Sequence, residues 1–371
     1  MEYAGSYALY NYKLDDPSKG LEYSNLRLIR AFEHGLDPTS SEAGFVLVHI
    51  DMVKNSGPLV AGVMECLDVC RAAMSTASST HDQDTLLSSR RTLNQGLSKI
   101  LSTLRLINAT METMWQKSKP GSYTSFRTFI FGITAQSMFP NGVIYAGVPN
   151  PDSPDPNHPT PLSFRGESGA NDSMIPLMDN FLQIPMPDTP LTEILDDFRS
   201  YRPSNHRAFL AWVKGNARML NLRDWITSPK LDVSPDDLDH ELWQSRRTYL
   251  QILNQVRDFR WRHWCFAKEY ILKQTSHPTA TGGSPIVTWL PNQLEAVLAD
   301  MVRVYGTFTE EERQRDGECR DIMEMVERQR VMLEKEVSRF CQERSVPSPS
   351  ASTGGGVKGM DKGAKAVSVV N

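Results

Sequence analysis

The segment FRWRHWCFAKEYIL, Phe259 to Leu272, sets a single histidine among aromatics and arginines. On a helix, His263 shares its face with Phe259, Arg260, Phe266, Ala267 and Tyr270, at offsets of three, four and seven. Two roles suit an imidazole in such an apolar stripe. It is a core residue satisfied by a hydrogen bond, or it is an axial ligand to haem iron, since burial keeps the ring neutral and leaves a lone pair for the metal. Arg260 and Arg262 offer charge that either neutralises haem propionates or closes surface ion pairs.

A second constellation is YTSFRTFIFG, Tyr123 to Gly132. Arg127 follows Tyr123 by four residues, so a helix puts guanidinium and phenol on one face. An arginine between apolar walls grips a carboxylate in two places, and the ring offers a platform for a flat substrate, a combination suited to an aromatic amino acid. The alternative is a surface arginine whose stem covers core aromatics. The glycine-rich GESGANDS, Gly166 to Ser173, either presents backbone N–H groups to an anion or is an ordinary turn at the start of a helix. HExxH, paired CxxC, GxSxG, GxGxxG and Walker patterns are all missing, and Cys66 and Cys70 lack two further zinc ligands.

These residues need helices to position them. Leu86, Leu93, Leu97, Ile100, Leu101, Leu104 and Ile107 form one stripe within Leu86 to Trp115, beside a polar face of Arg90, Arg91, Lys99 and Arg105. Further helices are expected at Phe45 to Lys54, Leu59 to Thr76, Tyr123 to Ile133, Met174 to Leu182, Leu191 to Tyr201, Asn205 to Lys214 and Asp237 to Gln274. Strand-like alternation is nearly absent. The proline-rich Asn141 to Arg165 is expected to be an irregular loop, and Ser276 to Pro285 a turn. Glu310 to Glu343 reads as one solvated amphipathic helix, and the tail from Ser345 is too poor in apolar residues to order itself.

The chain has 371 residues, 40% of them apolar and 9% aromatic, enough for a sizeable core. A formal charge of −4 gives no basic field, so small molecules are expected as partners rather than nucleic acid. Cys66, Cys70, Cys265, Cys319 and Cys341 are few and odd in number, which points to reduced thiols inside the cell. No segment reaches the ~18 apolar residues of a membrane span and no signal peptide opens the chain, so a cytoplasmic protein is expected.

Several separated segments resemble the haem-dependent indoleamine 2,3-dioxygenases. They are GFVLVHIDMV (Gly44 to Val53), the Arg127 segment with NGVIYAGV (Asn141 to Val148), RGESGANDSMIPLMD (Arg165 to Asp179), YRPSNHRAFLAWV (Tyr201 to Val213), and FRWRHWCFAKEYIL followed by TATGGS. Their order and rough spacing match over about residues 1 to 300. The resemblance implies an all-α fold: a large helical domain enclosing a haem pocket, with a remnant of a smaller N-terminal domain. The divisions expected are 1–36 for that remnant, 37–309 for the catalytic domain, 310–344 for a charged C-terminal helix and 345–371 for a disordered tail.

The same resemblance implies that His263 is the proximal ligand of one haem b per chain and that Arg127 binds the substrate carboxylate. Tyr123 would pack against indole, and Thr281 with Gly282 and Gly283 would close over the substrate. Ser168 and Gly169 match a turn near haem, Asp179 and Arg260 an ion pair supporting a propionate, and Ser6 and Tyr7 the pocket roof. Dioxygen and L-tryptophan, or a related indoleamine, are the partners so implied, for a protein expected to be a monomer. Ser122 stands where many relatives carry an aromatic. His49 occupies a distal position that often holds a small hydroxyl residue, and resembles the distal histidine of tryptophan 2,3-dioxygenases, which can hydrogen-bond indole N–H. Asn171 and Asp172 also depart from the usual glutamine and serine. Relatives carry a longer small domain ahead of EYAGSY, so a truncated gene model or a shortened relative is expected. The expected reaction is cleavage of the indole 2,3 bond of L-tryptophan to N-formylkynurenine in the kynurenine pathway. The alternatives are oxidation of another indole in secondary metabolism, or a haem-binding helical protein without activity.

Overall fold

The computed structural model describes residues 9–76, 83–127, 133, 138–147, 160–164, 172–188, 196, 198–228, 236–274 and 286–346. Two strands open it, β1 (Tyr12–Leu14) and β2 (Leu26–Leu28), paired antiparallel with Tyr12 opposite Leu28. Leu26 and Leu28 pack with Val46, Leu47 and Ile50 of the first helix, α1 (Ser41–Val53). Buried Glu42 fastens the connecting segment by accepting from the N–H groups of Phe32, Glu33 and His34 at 2.7, 3.0 and 3.0 Å. The helix starts a turn earlier than its apolar spacing indicates, because the Ser40 hydroxyl accepts from the Ala43 N–H at 3.2 Å.

The body is helical, as expected. α2 (Ser56–Thr76) and α3 (Gln83–Glu112) pack along their length, and the long helix Asp236–Phe266 also packs against α3. The short helices α4 (Met114–Lys117), α5 (Pro120–Arg127), α6 (Met174–Phe181), α7 (Ser204–Met219) and α8 (Leu222–Ile226) lead to α9 (Asp236–Phe266), which continues as a π turn over Ala267–Leu272. α10 (Ile286–Tyr305) covers α9 and was not anticipated from the sequence. Gly44 allows α1 to reach α4: a Cβ there would lie 1.8 Å from the Lys117 carbonyl oxygen.

Three expectations are corrected. Glu310 to Glu343 is two helices, α11 (Glu310–Arg315) and α12 (Gly317–Glu343), because the Asp316 carboxylate accepts from the Cys319 N–H at 3.1 Å and caps the second. Nor is α12 merely solvated, since Ile322, Val326, Leu333 and Phe340 join the main core against α10. Arg90 is not on a solvent face. It is buried with its guanidinium 3.9 Å from the Trp225 ring centroid, and burial pushes its pKa down to about 10. Of the helix expected over Leu191 to Tyr201 only parts are described, and the turn at Ser276 to Pro285 and the tail beyond 346 lie outside the described residues.

Candidate active site

α9 delivers His263 in its last α-helical turn, just before the π turn; such π insertions are rare and concentrate at functional sites. The ring is half-buried and makes no hydrogen bond among the described residues. Burial nevertheless pushes its pKa down to about 4, and the charge of Arg260 adds to the effect. A ring that keeps some accessible surface while protein disfavours its charged form is enclosed rather than bathed in solvent. At neutral pH it offers a free lone pair, which an ordinary hydrogen-bonded core histidine does not.

An aromatic wall adjoins this segment. Phe266 meets Trp115 at a centroid separation of 4.4 Å, and Tyr270 meets Tyr123 edge-on at 5.6 Å. Phe45 of α1 closes on Tyr123 at 5.2 Å. The Tyr270 hydroxyl donates to the Ser118 carbonyl, which fixes the π turn against the α4–α5 junction. Tyr123 is buried in this cluster. Arg127 ends α5 one turn further on; its backbone is helical, and its side chain lies outside what is described. Trp115 and Phe45 belong to the wall without having been singled out in the sequence, where nothing separates them from core aromatics.

The two arginines beside His263 have different fates. Arg262 turns outward to Glu112 at 2.5 Å and Asn108 at 3.1 Å, so its charge is committed to a surface pair. Arg260 is buried and donates from Nη2 to both oxygens of Asp179, at 2.9 and 2.7 Å. Burial raises the Asp179 pKa, and the Arg260 and Arg199 charges oppose that shift. The Nη1 of Arg260 is buried without a hydrogen-bond partner among the described residues. A cation with an unused buried donor beside a neutral imidazole suits a haem, which needs both an axial nitrogen and countercharge for its propionates.

His49 follows Phe45 by one turn of α1, and its pKa is lowered by burial, with the Arg202 charge adding and Asp172 opposing. Asp172 also accepts from the Met174 N–H at 2.8 Å at the start of α6. Beside it, the Ser173 hydroxyl lies 3.3 Å from His206 Nδ1 and accepts from Arg202 Nη2 at 3.3 Å. This polar group was not read from the sequence as a unit. Ser6, Tyr7, Ser168, Gly169, Thr281, Gly282 and Gly283 lie outside the described residues.

A helical body that delivers an enclosed neutral histidine beside a buried arginine–aspartate pair and an aromatic wall is an arrangement that suits an all-α haem protein. The model of the family "Indoleamine 2,3-dioxygenase" matches residues 1–316, and the chain belongs to that family. It is a haem-dependent dioxygenase acting on indoles with O2. No curated protein matches the chain. Among the described residues no helix is long and apolar enough to cross a membrane.

Proposed function

We propose that this enzyme oxidises L-tryptophan, adding both atoms of O2 across the indole C2–C3 bond to give N-formylkynurenine, the first step of the kynurenine pathway. His263 would hold the haem from its proximal side, with Asp179 and Arg260 steadying a propionate. The haem, when bound, supplies the O2 activation that no side chain can perform. Everything else asked of the protein is orientation and exclusion of water.

In this reading Arg127 grips the substrate carboxylate and Tyr123 lies against the indole. His49, neutral by burial, accepts the indole N–H. Thr281, Gly282 and Gly283 close over the ammonium group, Ser168 and Gly169 border the haem, and Ser6 and Tyr7 form part of the roof. The observation that carries the reading is the lone pair of His263, held neutral about two turns from the Tyr270–Tyr123 contact on the same helix face. Five free cysteines, four of them buried, support a reduced, cytoplasmic setting, and a net charge of −4 supports partners other than nucleic acid; we take the protein to act as a monomer.

The half-buried Ser122, in place of an aromatic, and His49, in place of a small hydroxyl residue, favour a second reading in which a substituted indole is the better substrate. Mixing reduced holoenzyme with L-tryptophan or substituted indoles in oxygenated buffer separates the two. Equimolar O2 uptake and N-formylkynurenine formation, fastest with L-tryptophan, is expected. Turnover confined to a substituted indole would establish the second reading, and no turnover on any indole would overturn both.

A further inference from the structure

The family match ends at residue 316, and α12 begins at Gly317. This last helix meets the segment that carries His263 along one stripe. Glu336, Phe340 and Arg344 are four residues apart, and they contact Trp264 and Lys268, then Trp264 again, then Leu272, themselves four residues apart. The Glu336 carboxylate accepts from the Trp264 indole Nε1 at 2.7 Å and from Lys268 Nζ at 2.7 and 2.8 Å. Phe340 lies edge-on to the Trp264 ring at 5.9 Å. Arg344 donates from Nη2 to the Leu272 carbonyl at 2.6 Å, at the end of the π turn.

Trp264 is wholly buried, adjacent in sequence to His263, and in the last α-helical turn; Lys268 is already in the π turn. One carboxylate therefore spans the point where the helix changes its winding. By helical spacing Trp264, Lys268 and Leu272 lie opposite Phe266 and Tyr270, which pack on Trp115 and Tyr123. His263 shares the face of Phe266 and Tyr270, so the clamp on Trp264 and Lys268 backs it from the opposite side. A rotation of this helix end that re-aimed the imidazole would strip the buried indole N–H of its acceptor.

We propose that α12 is a strut for the proximal side and that Glu336 is a positioning residue, acting through Trp264 and Lys268 to fix the orientation of the His263 ring toward haem iron. The proposal rests on His263 being the haem ligand. Groups beyond the ligand itself commonly set ligand orientation in this way and tune the metal through it.

Resonance Raman spectra of the ferrous holoenzyme read the iron–histidine stretch, which reports ring orientation independently of turnover. Glu336→Ala should shift or broaden that band with haem content retained, and Glu336→Gln, which keeps an acceptor oxygen for Trp264, should restore it. Should Glu336→Ala fail to fold, Lys268→Met is expected to show a smaller shift in the same band. Arg330→Ala removes a half-buried pair between α12 and Glu295 of α10, away from Trp264 and Lys268, and should leave the band in place. An unmoved band in Glu336→Ala, or an equal shift in Arg330→Ala, overturns the strut. A band that survives His263→Ala overturns the ligand assignment itself. That failure is distinct from one in which the band is lost with His263 but insensitive to Glu336.

Discussion

The rings of Tyr123 and Tyr270 meet edge-on with centroids 5.6 Å apart. That contact ties α5, which ends in Arg127, to the π turn that directly follows α9 and His263. The backbone segment of the residue proposed to grip substrate and that of the residue proposed to hold haem are thus tied to one another through an aromatic pair.

The tie is testable through its hydrogen bond. The Tyr270 hydroxyl donates to the Ser118 carbonyl in a buried setting, and burial pushes its pKa up to about 12. Tyr270→Phe should lower unfolding free energy by about 1 kcal/mol, and Tyr270→Ala by ~3–5 kcal/mol with loss of the aromatic contacts. Denaturant titration of the three proteins checks this; equal stabilities would show that the ring bears no weight at the α5 junction.

Arg127→Leu should raise the KM for amino-acid substrates much more than for their decarboxylated counterparts, since only the former offer a carboxylate to the guanidinium. Steady-state kinetics with tryptophan and tryptamine provide the comparison. Equal effects on both would contradict a carboxylate clamp.

Asp179 and Glu112 each pair with an arginine of α9, but only Arg260 is buried. Asp179→Asn should cost about 3 kcal/mol, because it leaves a buried guanidinium charge uncompensated. Glu112→Gln should cost less than ~1 kcal/mol, because the exposed Glu112 pairs with Arg262 at the surface. The same ordering is expected in the rate of haem loss to an acceptor protein, and a reversed order would remove Arg260 from the haem site.

Acid should weaken the haem-free protein through its enclosed histidines. In the folded chain the His263 pKa is about 4, whereas an unfolded histidine titrates near ~6.5. As pH falls through the unfolded value, the unfolded chain binds the proton first, so stability is lost from about pH 6.5 down to about 4 and is unaffected above that range. His49, also lowered, acts in the same sense. At its full extent the His263 contribution is on the order of 3 kcal/mol. His263→Leu should flatten the stability profile over this window, and superimposable profiles would contradict the assigned burial.

The helices and the principal histidine were legible because helical spacing is written locally. His263, Phe266 and Tyr270 share a face whatever the rest of the chain does. Partners were not legible in the same way. Asp179 and Arg260 are 81 residues apart and were linked only through a resemblance, while Glu336 and Trp264, 72 apart, gave no signal at all. Arg90 was misplaced because periodicity assigns a charged residue to the solvent side and cannot foresee Trp225 arriving to cover it. Helix α10 escaped notice because Pro291 and the adjoining glycine-rich turn read as breaks, and β1 and β2 because three residues are too few to show alternation.

The central claim is a bond from the His263 imidazole to haem iron, and absorption spectroscopy of purified wild-type and His263→Ala protein tests it most directly. Wild type should carry one haem per chain with a Soret band that responds to reduction and to L-tryptophan. The variant should fold, with an unchanged far-ultraviolet circular dichroism spectrum, yet retain no stably bound haem. A His263→Ala protein with wild-type haem content and Soret absorption would contradict the account.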